Sequence, residues 1–190
     1  KDSGEKVVKV GAGATWAHVQ TFANQHKMAV KVMQASNVFS IGGSLGTNIH
    51  GWDHQTGTVA NTVRAVTVVN AKGEINTYRR DVNPEFNQVF GSFGLMGIVT
   101  EVELELTDNE KLYERAIEVS PKNYLNEFEK VKANDKVRMH LYRLSLEQGK
   151  LLQTGVMVNY TKEDSAPPVV TPHLKQEGKK GKRFERVGIN

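Results

Sequence analysis

The sequence predicts a fold that mixes short strands with helices, and three patterns indicate it. The segment KVVKV, which ends at residue 10, is rich in β-branched residues and precedes a glycine turn, and TWAHVQTFANQHK follows with apolar residues at helical spacing. The segment TVRAVTVVNAKGEINTY interrupts a β-branched run with the turn NAKGE, which is typical of a hairpin. The run IVTEVELEL alternates apolar and acidic residues and therefore predicts a strand with one buried face.

The elements follow one another in a simple order. Thr15 is the predicted N-cap of the first helix, whose apolar residues are Trp16, Val19, Phe22 and Ala23. A short apolar segment, MAVKVM, leads into a glycine-rich stretch, and Gly73 takes the tight position of the later hairpin. The piece NPEFNQVF predicts a short helix before the alternating strand.

The pattern changes near Thr107. After it come a strand in DNEKLYERAIEVS, a helix in PKNYLNEFEKVKAN, and two strands in VRMHLYRLSLEQGKLLQTGVMVNYT. We therefore predict two units, residues 1–107 and residues 108–190, the second ending in a basic Pro-, Gly- and Lys-rich segment.

Composition excludes several classes of protein. A hydrophobic content of 38% over 190 residues suffices for a globular core. The absence of cysteine excludes disulfides, thiolate metal sites and a cysteine nucleophile, and favours a reducing compartment, so we expect a cytoplasmic location. No window approaches the roughly 20 apolar residues that span a bilayer, so no membrane span is expected.

The distribution of charge and the N-terminal residues lead to two further expectations. Much of the formal net charge of +4 comes from KQEGKKGKRFER near the C-terminus, which predicts a solvated tail, and we expect no nucleic-acid partner. The opening residues KDSGEKVVKV resemble neither an initiator nor a signal peptide, which predicts that the chain is a fragment.

Two candidate sites fail on spacing. VGAGATW places Gly11 and Gly13 between a strand and a helix, but Trp16 stands where a dinucleotide-binding Rossmann turn needs its third glycine, so a tight turn explains them better. HGWDH sets His50 and His54 four residues apart, yet these meet only on a helix, which Gly51 and the following QTGT disfavour. We expect a loop histidine that bonds to backbone or ligand, and no metal site.

The stretch IGGSLGTNIHG, residues 41–51, holds four glycines and almost no residue that packs a core. It is either a surface turn cluster or a backbone cradle whose N–H groups face an anion such as a diphosphate. A second glycine segment, GSFGLMGIVT, follows the hairpin, and Ser44, Thr47, Asn48 and Ser92 are small enough to donate to phosphate or ribityl oxygens. Two such segments favour a nucleotide cradle over a turn cluster.

These motifs together resemble a known family. VGAGATWAHVQTFANQHKMAV, FSIGGSLGTNIHG, TGTVANTVRAVTVVNAKGEI and FNQVFGSFGLMGIVTEVELEL occur in the order and spacing of the second half of the PCMH-type FAD-binding domain of the vanillyl-alcohol oxidase superfamily. The resemblance covers residues 7 to about 107 and implies an α+β fold, with a small mixed sheet flanked by helices, followed by part of an α+β substrate domain. The NIHG form looks most like the sugar, sugar-lactone or ribose oxidases.

The resemblance also implies a site. The glycine stretch would lie along the diphosphate and ribityl chain of FAD, and the segment GIV would bond or line the adenine end, with Gly91, Ser92 and Gly94 shaping the turn before it. His50 and Gly51 would end the stretch near the flavin ring. The implied cofactor-binding residues are Gly42, Gly43, Ser44, Gly46, Thr47, Asn48, His50, Gly51, Gly97, Ile98 and Val99.

The implied function is that of an FAD-dependent oxidoreductase that oxidises a CH–OH group of a sugar, sugar lactone or related hydroxy compound by hydride transfer to flavin N5. The electron acceptor stays unassigned. Family members carry an earlier subdomain that this chain lacks, so we expect the chain alone to be inactive. QASNVFSI contains no cysteine, which excludes a flavin anchored by both a histidine and a cysteine. The alternatives are a UDP-N-acetylenolpyruvoylglucosamine reductase-like flavoenzyme and a non-catalytic interaction module with a vestigial flavin site.

The sequence identifies no catalytic base. Arg138, His140, Tyr142 and Arg143 lie on a predicted strand from which they could face flavin or substrate. An ordinary half-exposed sheet face is the better interpretation of these four residues.

Overall fold

The computed structural model describes residues 6–162 and 167–171. The basic run predicted to be a solvated tail, residues 175–186, lies outside the described residues. No helix in the described part of the chain is both long and apolar enough to cross a membrane.

The first sheet contains five strands. They are β1 (Val7–Gly11), β2 (Met28–Val30), β3 (Val63–Val69), β4 (Ile75–Arg79) and β5 (Ile98–Asp108). The spatial order is β1-β5-β3-β4, and β2 pairs with the far end of β5. The predicted α+β class is confirmed. The expected mixed sheet is not found. Each strand pairing in the described residues is antiparallel, because β5 lies between β1 and β3 and runs against both.

Three helices and one 3₁₀ turn accompany this sheet. They are α1 (Trp16–Gln25), α2 (Ile41–Gly46), the 3₁₀ turn Val59–Thr62, and α3 (Phe86–Val89). Thr15 caps α1 as predicted, since its side chain accepts from the His18 amide while the His18 ring accepts from the Thr15 amide. Of the predicted apolar face, Phe22 stays 51% exposed.

The core of this unit lies between the sheet and the helices. Trp16, Ile41, Leu45, Val66 and Leu104 are among its most buried members. Burying one such side chain contributes about 2 kcal/mol. The core therefore fixes α2 against the sheet through two of its six residues, Ile41 and Leu45.

A second, smaller sheet follows. Its strands are β6 (Leu112–Glu118), β7 (Val137–Leu144) and β8 (Gly155–Lys162), ordered β6-β8-β7 and antiparallel. Helix α4 (Tyr124–Lys132) contributes Val131 to a small core with Val137 and Met157. The change of pattern near Thr107 thus coincides with the passage from β5 to β6.

The loop after the first glycine segment joins the two sheets. The Trp52 carbonyl accepts a 2.8 Å hydrogen bond from the His140 amide. The Trp52 ring stacks on Tyr160 at 5.9 Å between centroids. Residues just beyond Gly51 are therefore held against the second sheet.

Candidate functional site

The first glycine segment forms a helix where the cradle hypothesis expected a loop. Helix α2 occupies residues 41–46, and the Ser40 side chain caps it by accepting from the Gly43 amide at 3.3 Å. A serine N-cap in extended conformation stabilises a helix start, and this local signal outweighs the low helical propensity of the glycines.

The first amides of α2 are all used inside the fold. The Ile41 amide donates to Ala14 O at 2.8 Å and the Gly42 amide to Ala12 O at 2.9 Å. The Gly43 amide is taken by the Ser40 hydroxyl, and the Ser44 amide donates to Ser40 O. The expectation that these N–H groups face an anion is therefore wrong, because the β1–α1 turn and the cap satisfy them.

Two of the predicted site glycines are needed for packing. A Cβ on Gly42 would lie 3.1 Å from Ala12 Cβ and 3.3 Å from Ala12 O, and one on Gly51 would lie 3.0 Å from Met33 O. Each distance is at or below the limit of ordinary contacts. Gly42 lets α2 approach the β1–α1 turn, and Gly51 lets the chain pass close to residue 33.

Ser44 faces the interior. Its side chain is 2% exposed, its hydroxyl accepts from Trp16 Nε1 at 2.9 Å, and it lies within hydrogen-bonding distance of Gln34 Oε1 and Ser40 O. The expected donation from this hydroxyl to phosphate does not fit these contacts. The serine instead holds α2 to α1.

The next residues are more open. Thr47 is exposed, and its hydroxyl donates to Gly43 O at 3.1 Å. Asn48 has a φ of +47°, and its side-chain oxygen accepts from the Ala60 amide. His50 is exposed with Nδ1 3.0 Å from Gly51 O, which agrees with a loop histidine bonded to backbone.

The structure brings the two glycine segments side by side. The Gly91 amide donates to Leu45 O at 3.1 Å and the Phe93 amide to Gly46 O at 3.0 Å. A Cβ on Gly46 would sit 4.0 Å from the Phe93 Cα, which is ordinary contact. The end of α2 and the segment 91–97 therefore form one continuous surface.

The second segment supplies the free donors that the first lacks. Among the described residues, the amides of Gly91, Phe93, Leu95 and Gly97 donate to backbone carbonyls, whereas those of Ser92, Gly94 and Met96 have no recorded acceptor. Gly94 has a φ of +86°, and a Cβ there would meet nothing within 4 Å. Left-handed residues beside free amides, as at Phe93 and Gly94, are typical of an anion-binding concavity.

The end of this segment is shaped by β3. Gly97 has a φ of +122°, and a Cβ there would overlap Val69 O and lie 2.8 Å from Val68 Cγ1. Ile98 and Val99 open β5 and pair with Val69 and Val68. Gly97 is therefore required by close packing. Three apolar residues of this region are largely exposed to solvent: Ile98 (73%), Phe93 (80%) and Leu95 (91%).

A cavity of about 300 Å³ lies beyond the end of the first segment. Its walls include Gln20 and Gln34, the methionines Met33 and Met139, and Trp52. Both sheets contribute to it, since Met139 belongs to β7. A cavity of this size accommodates a small organic molecule.

Three of the polar residues considered on β7 make internal contacts. Arg138 forms a bidentate pair with Glu110, with nitrogen–oxygen distances of 2.8 and 3.2 Å. His140 lies 3.0 Å from the Tyr124 hydroxyl and 2.7 Å from Asn159 Oδ1, and the Tyr142 hydroxyl donates to Val119 O. These contacts support the interpretation of an ordinary sheet.

Sequence reasoning missed the environment of His54. Neither ring nitrogen has a hydrogen-bond partner in the described part of the chain, and both are buried where the ring packs on Phe128 and His140. Burial lowers the pKa of His54; the Asp53 charge opposes this, and His140 adds to it. Only the packing of this loop against α4 and β7 creates this environment, so no local pattern could predict it. The described residues contain no cluster of three or more His, Cys, Asp or Glu side chains that could hold a metal.

Tyr160, which stacks on Trp52, also has a shifted pKa. Burial, together with a hydrogen bond to Glu114 and its charge, raises the pKa of Tyr160 to about 12. Tyr160 therefore stays a neutral phenol at every physiological pH, and it serves Trp52 as a flat packing surface.

Part of the sequence is similar to known proteins. The family model described as an FAD binding domain matches residues 1–78. A decaprenylphosphoryl-β-D-ribose oxidase of Mycolicibacterium smegmatis is 31% identical over 116 residues, which cover 59% of this chain and 25% of the relative. An alditol oxidase of a Streptomyces species is 30% identical over 105 residues, covering 55% of this chain and 25% of the relative. The matched segment thus spans about a quarter of each relative's length.

The geometry also fits the cofactor. Glycines without a neighbouring atom admit the close approach of a long ligand, and three free amides suit a diphosphate. Both named relatives are oxidases, and the residues matched by the family model are those of an FAD-binding domain. The motifs predicted this similarity to FAD-binding domains, and FAD is the cofactor that the match indicates.

Proposed function

We propose that α2 and the segment 91–97 form one wall of the FAD site. The observation that carries this is their direct hydrogen-bonded contact beside three unused amides. The amides of Ser92, Gly94 and Met96 donate to the diphosphate, and Gly43, Gly46 and Gly94 allow the ligand to approach the backbone.

The remaining predicted residues divide by position. Thr47, Asn48 and His50 continue the wall toward the cavity. Four residues support the wall from the protein side, because they contact other parts of the protein. They are Gly42, Ser44, Gly51 and Gly97. Ile98 and Val99 line the end opposite the cavity.

The reaction we propose is oxidation of a CH–OH group in a sugar, sugar lactone or related hydroxy compound. Bound FAD supplies the two-electron acceptor for this chemistry. The cavity beyond Gly51 supports the proposal, because Gln34 accepts with Oε1 from Trp16 and Ser44 and keeps its amide hydrogens for a ligand. The names of the two relatives, a ribose oxidase and an alditol oxidase, agree with a polyhydroxyl substrate.

The chain's two units receive different roles in this proposal. Residues 1–107 supply the second subdomain of the FAD-binding domain, and residues 108–190 open the substrate domain. We expect the 190 residues alone to be catalytically inactive, since the matched segment is a quarter of each relative. Anaerobic mixing of the FAD-loaded chain with alditols, sugar lactones and 2-hydroxy acids tests this, and bleaching of the flavin absorbance would overturn the expected inactivity.

Binding of FAD is tested with a matched pair of variants. Gly46→Leu adds a side chain whose Cβ would lie 4.0 Å from Phe93 Cα, an ordinary contact, and we expect it to abolish saturable FAD binding while the apo chain keeps its circular dichroism spectrum. Ala71→Leu makes a comparable change on the exposed β3–β4 turn and should leave binding unchanged. Equal affinities of both variants and wild type would refute the proposed wall.

A further inference from the structure

Phe93 adopts a conformation that its side chain disfavours. Its φ is +51°, and the residue is 80% exposed. The hydrogen bond from its amide to Gly46 O holds it in place. A bulky residue in the left-handed region is strained, and a ring left in water returns no burial energy.

The neighbouring residues show how this strain is ordinarily avoided. Gly91 and Gly94 take positive φ in the same segment, and Asn48 takes it at the end of the first one. Glycine and asparagine adopt this region at low cost. A phenylalanine here therefore requires another explanation than the turn itself.

The surroundings of Phe93 indicate what its ring meets. The free amides of Ser92 and Gly94 flank it, and Gly46 lies beneath it. A flat apolar ring next to diphosphate-binding amides is suited to stacking on the base of a nucleotide. FAD carries two flat rings, one at each end of its diphosphate.

The position of the cavity distinguishes the two rings. The flavin must meet a substrate, and the 300 Å³ cavity adjoins Gly51, Trp52 and Asp53 at the end of the first segment. Phe93 belongs to the other segment and does not line that cavity. Resting on the proposed FAD site, we propose that the Phe93 ring stacks on the adenine of FAD and sets the affinity of this chain for FAD over FMN.

The test uses opposite effects on stability and binding. Phe93→Asn relieves the strain, so the apo melting temperature should rise by roughly 2–4 °C. The same change should weaken FAD binding roughly tenfold and leave FMN, which lacks adenine, unaffected. Phe93→Tyr keeps the ring and should restore FAD affinity.

Leu152→Asn is the matched control. Leu152 is also an exposed apolar residue in the left-handed region, with a φ of +58°. It should gain the same thermal stability with no change in FAD binding, because it lies in the β7–β8 hairpin.

Each outcome has a defined meaning. If the wild-type chain binds no FAD, the proposed FAD wall fails and this inference with it. If wild type binds but Phe93→Asn binds equally well, only the stacking role is overturned. If Phe93→Asn loses FAD and FMN to the same extent, the assignment to adenine is overturned.

Discussion

The main-chain amide of Phe93 donates a 3.0 Å hydrogen bond to the carbonyl of Gly46, and this bond joins two segments 47 residues apart in the sequence. One segment is a capped helix whose first amides are all satisfied, and the other is an irregular loop with free amides. In the proposed FAD site, the helix therefore provides a surface of glycine backbone, and the loop provides the hydrogen-bond donors.

Two glycines of the loop should respond differently to alanine. Gly97→Ala should destabilise the fold by about 3 kcal/mol or more, because the added Cβ overlaps Val69 O at a strained φ. Gly94→Ala meets open space and should cost only about 1 kcal/mol. Urea unfolding of both variants measures this, and equal losses would contradict the packing role of Gly97.

Ser44→Ala should lower stability without weakening the FAD affinity of the folded chain. It removes a buried hydroxyl acceptor from Trp16 Nε1, which costs about 1–3 kcal/mol. Thr47→Ala, at an exposed position, should cost less than about 1 kcal/mol. Urea unfolding gives the stabilities and flavin fluorescence gives the affinities. A tenfold loss of affinity in Ser44→Ala would show that this hydroxyl reaches the cofactor after all.

Glu105 should make the fold sensitive to acid. Burial acts to raise its pKa, but hydrogen bonds and charge from Lys31, with Arg64 and Arg80, outweigh burial and leave the pKa lowered. A carboxylate whose pKa is lowered by folding stabilises the folded chain at pH values above its unfolded pKa, which is near 4.5. This stabilisation is lost as the pH falls below that unfolded pKa.

Glu105→Gln tests this contribution. We expect a loss of about 1–3 kcal/mol at pH 7 and a flatter stability profile between pH 5 and 3, both measured by urea unfolding. Glu101→Gln is the control, since Glu101 makes one exposed pair with Lys9. If the two variants lost equal stability at pH 7, the network around Glu105 would contribute no more stability than the exposed Lys9–Glu101 pair.

His54 should make the contact between the two sheets sensitive to pH. Its pKa is lowered in the folded chain, so the unfolded chain binds the proton more readily, and stability is lost as pH falls below about 6.5. His54→Phe keeps an aromatic ring against Phe128 and His140 and should flatten this loss between pH 7 and 5. Thermal melts over that range measure it. An unchanged slope would show that His54 titrates as it does in the unfolded chain.

Local sequence signals predicted the elements well. Thr15, Gly73 and the alternation in β5 act through neighbours in the chain, so the α1 cap, the β3–β4 hairpin and the strand were found where expected. Helix α2 was missed because the three glycines among its six residues obscured the signal of the Ser40 cap. The inward Ser44 and the buried His54 depend on residues distant in sequence, which periodicity does not reveal.

Amide hydrogen exchange of the 190-residue chain, with and without saturating FAD, tests the proposal that FAD lies against the two joined glycine segments. We predict slower exchange at the amides of Ser92, Gly94 and Met96, with no change in the β7–β8 hairpin. Unchanged exchange at those three amides in a chain that binds FAD would contradict the claim.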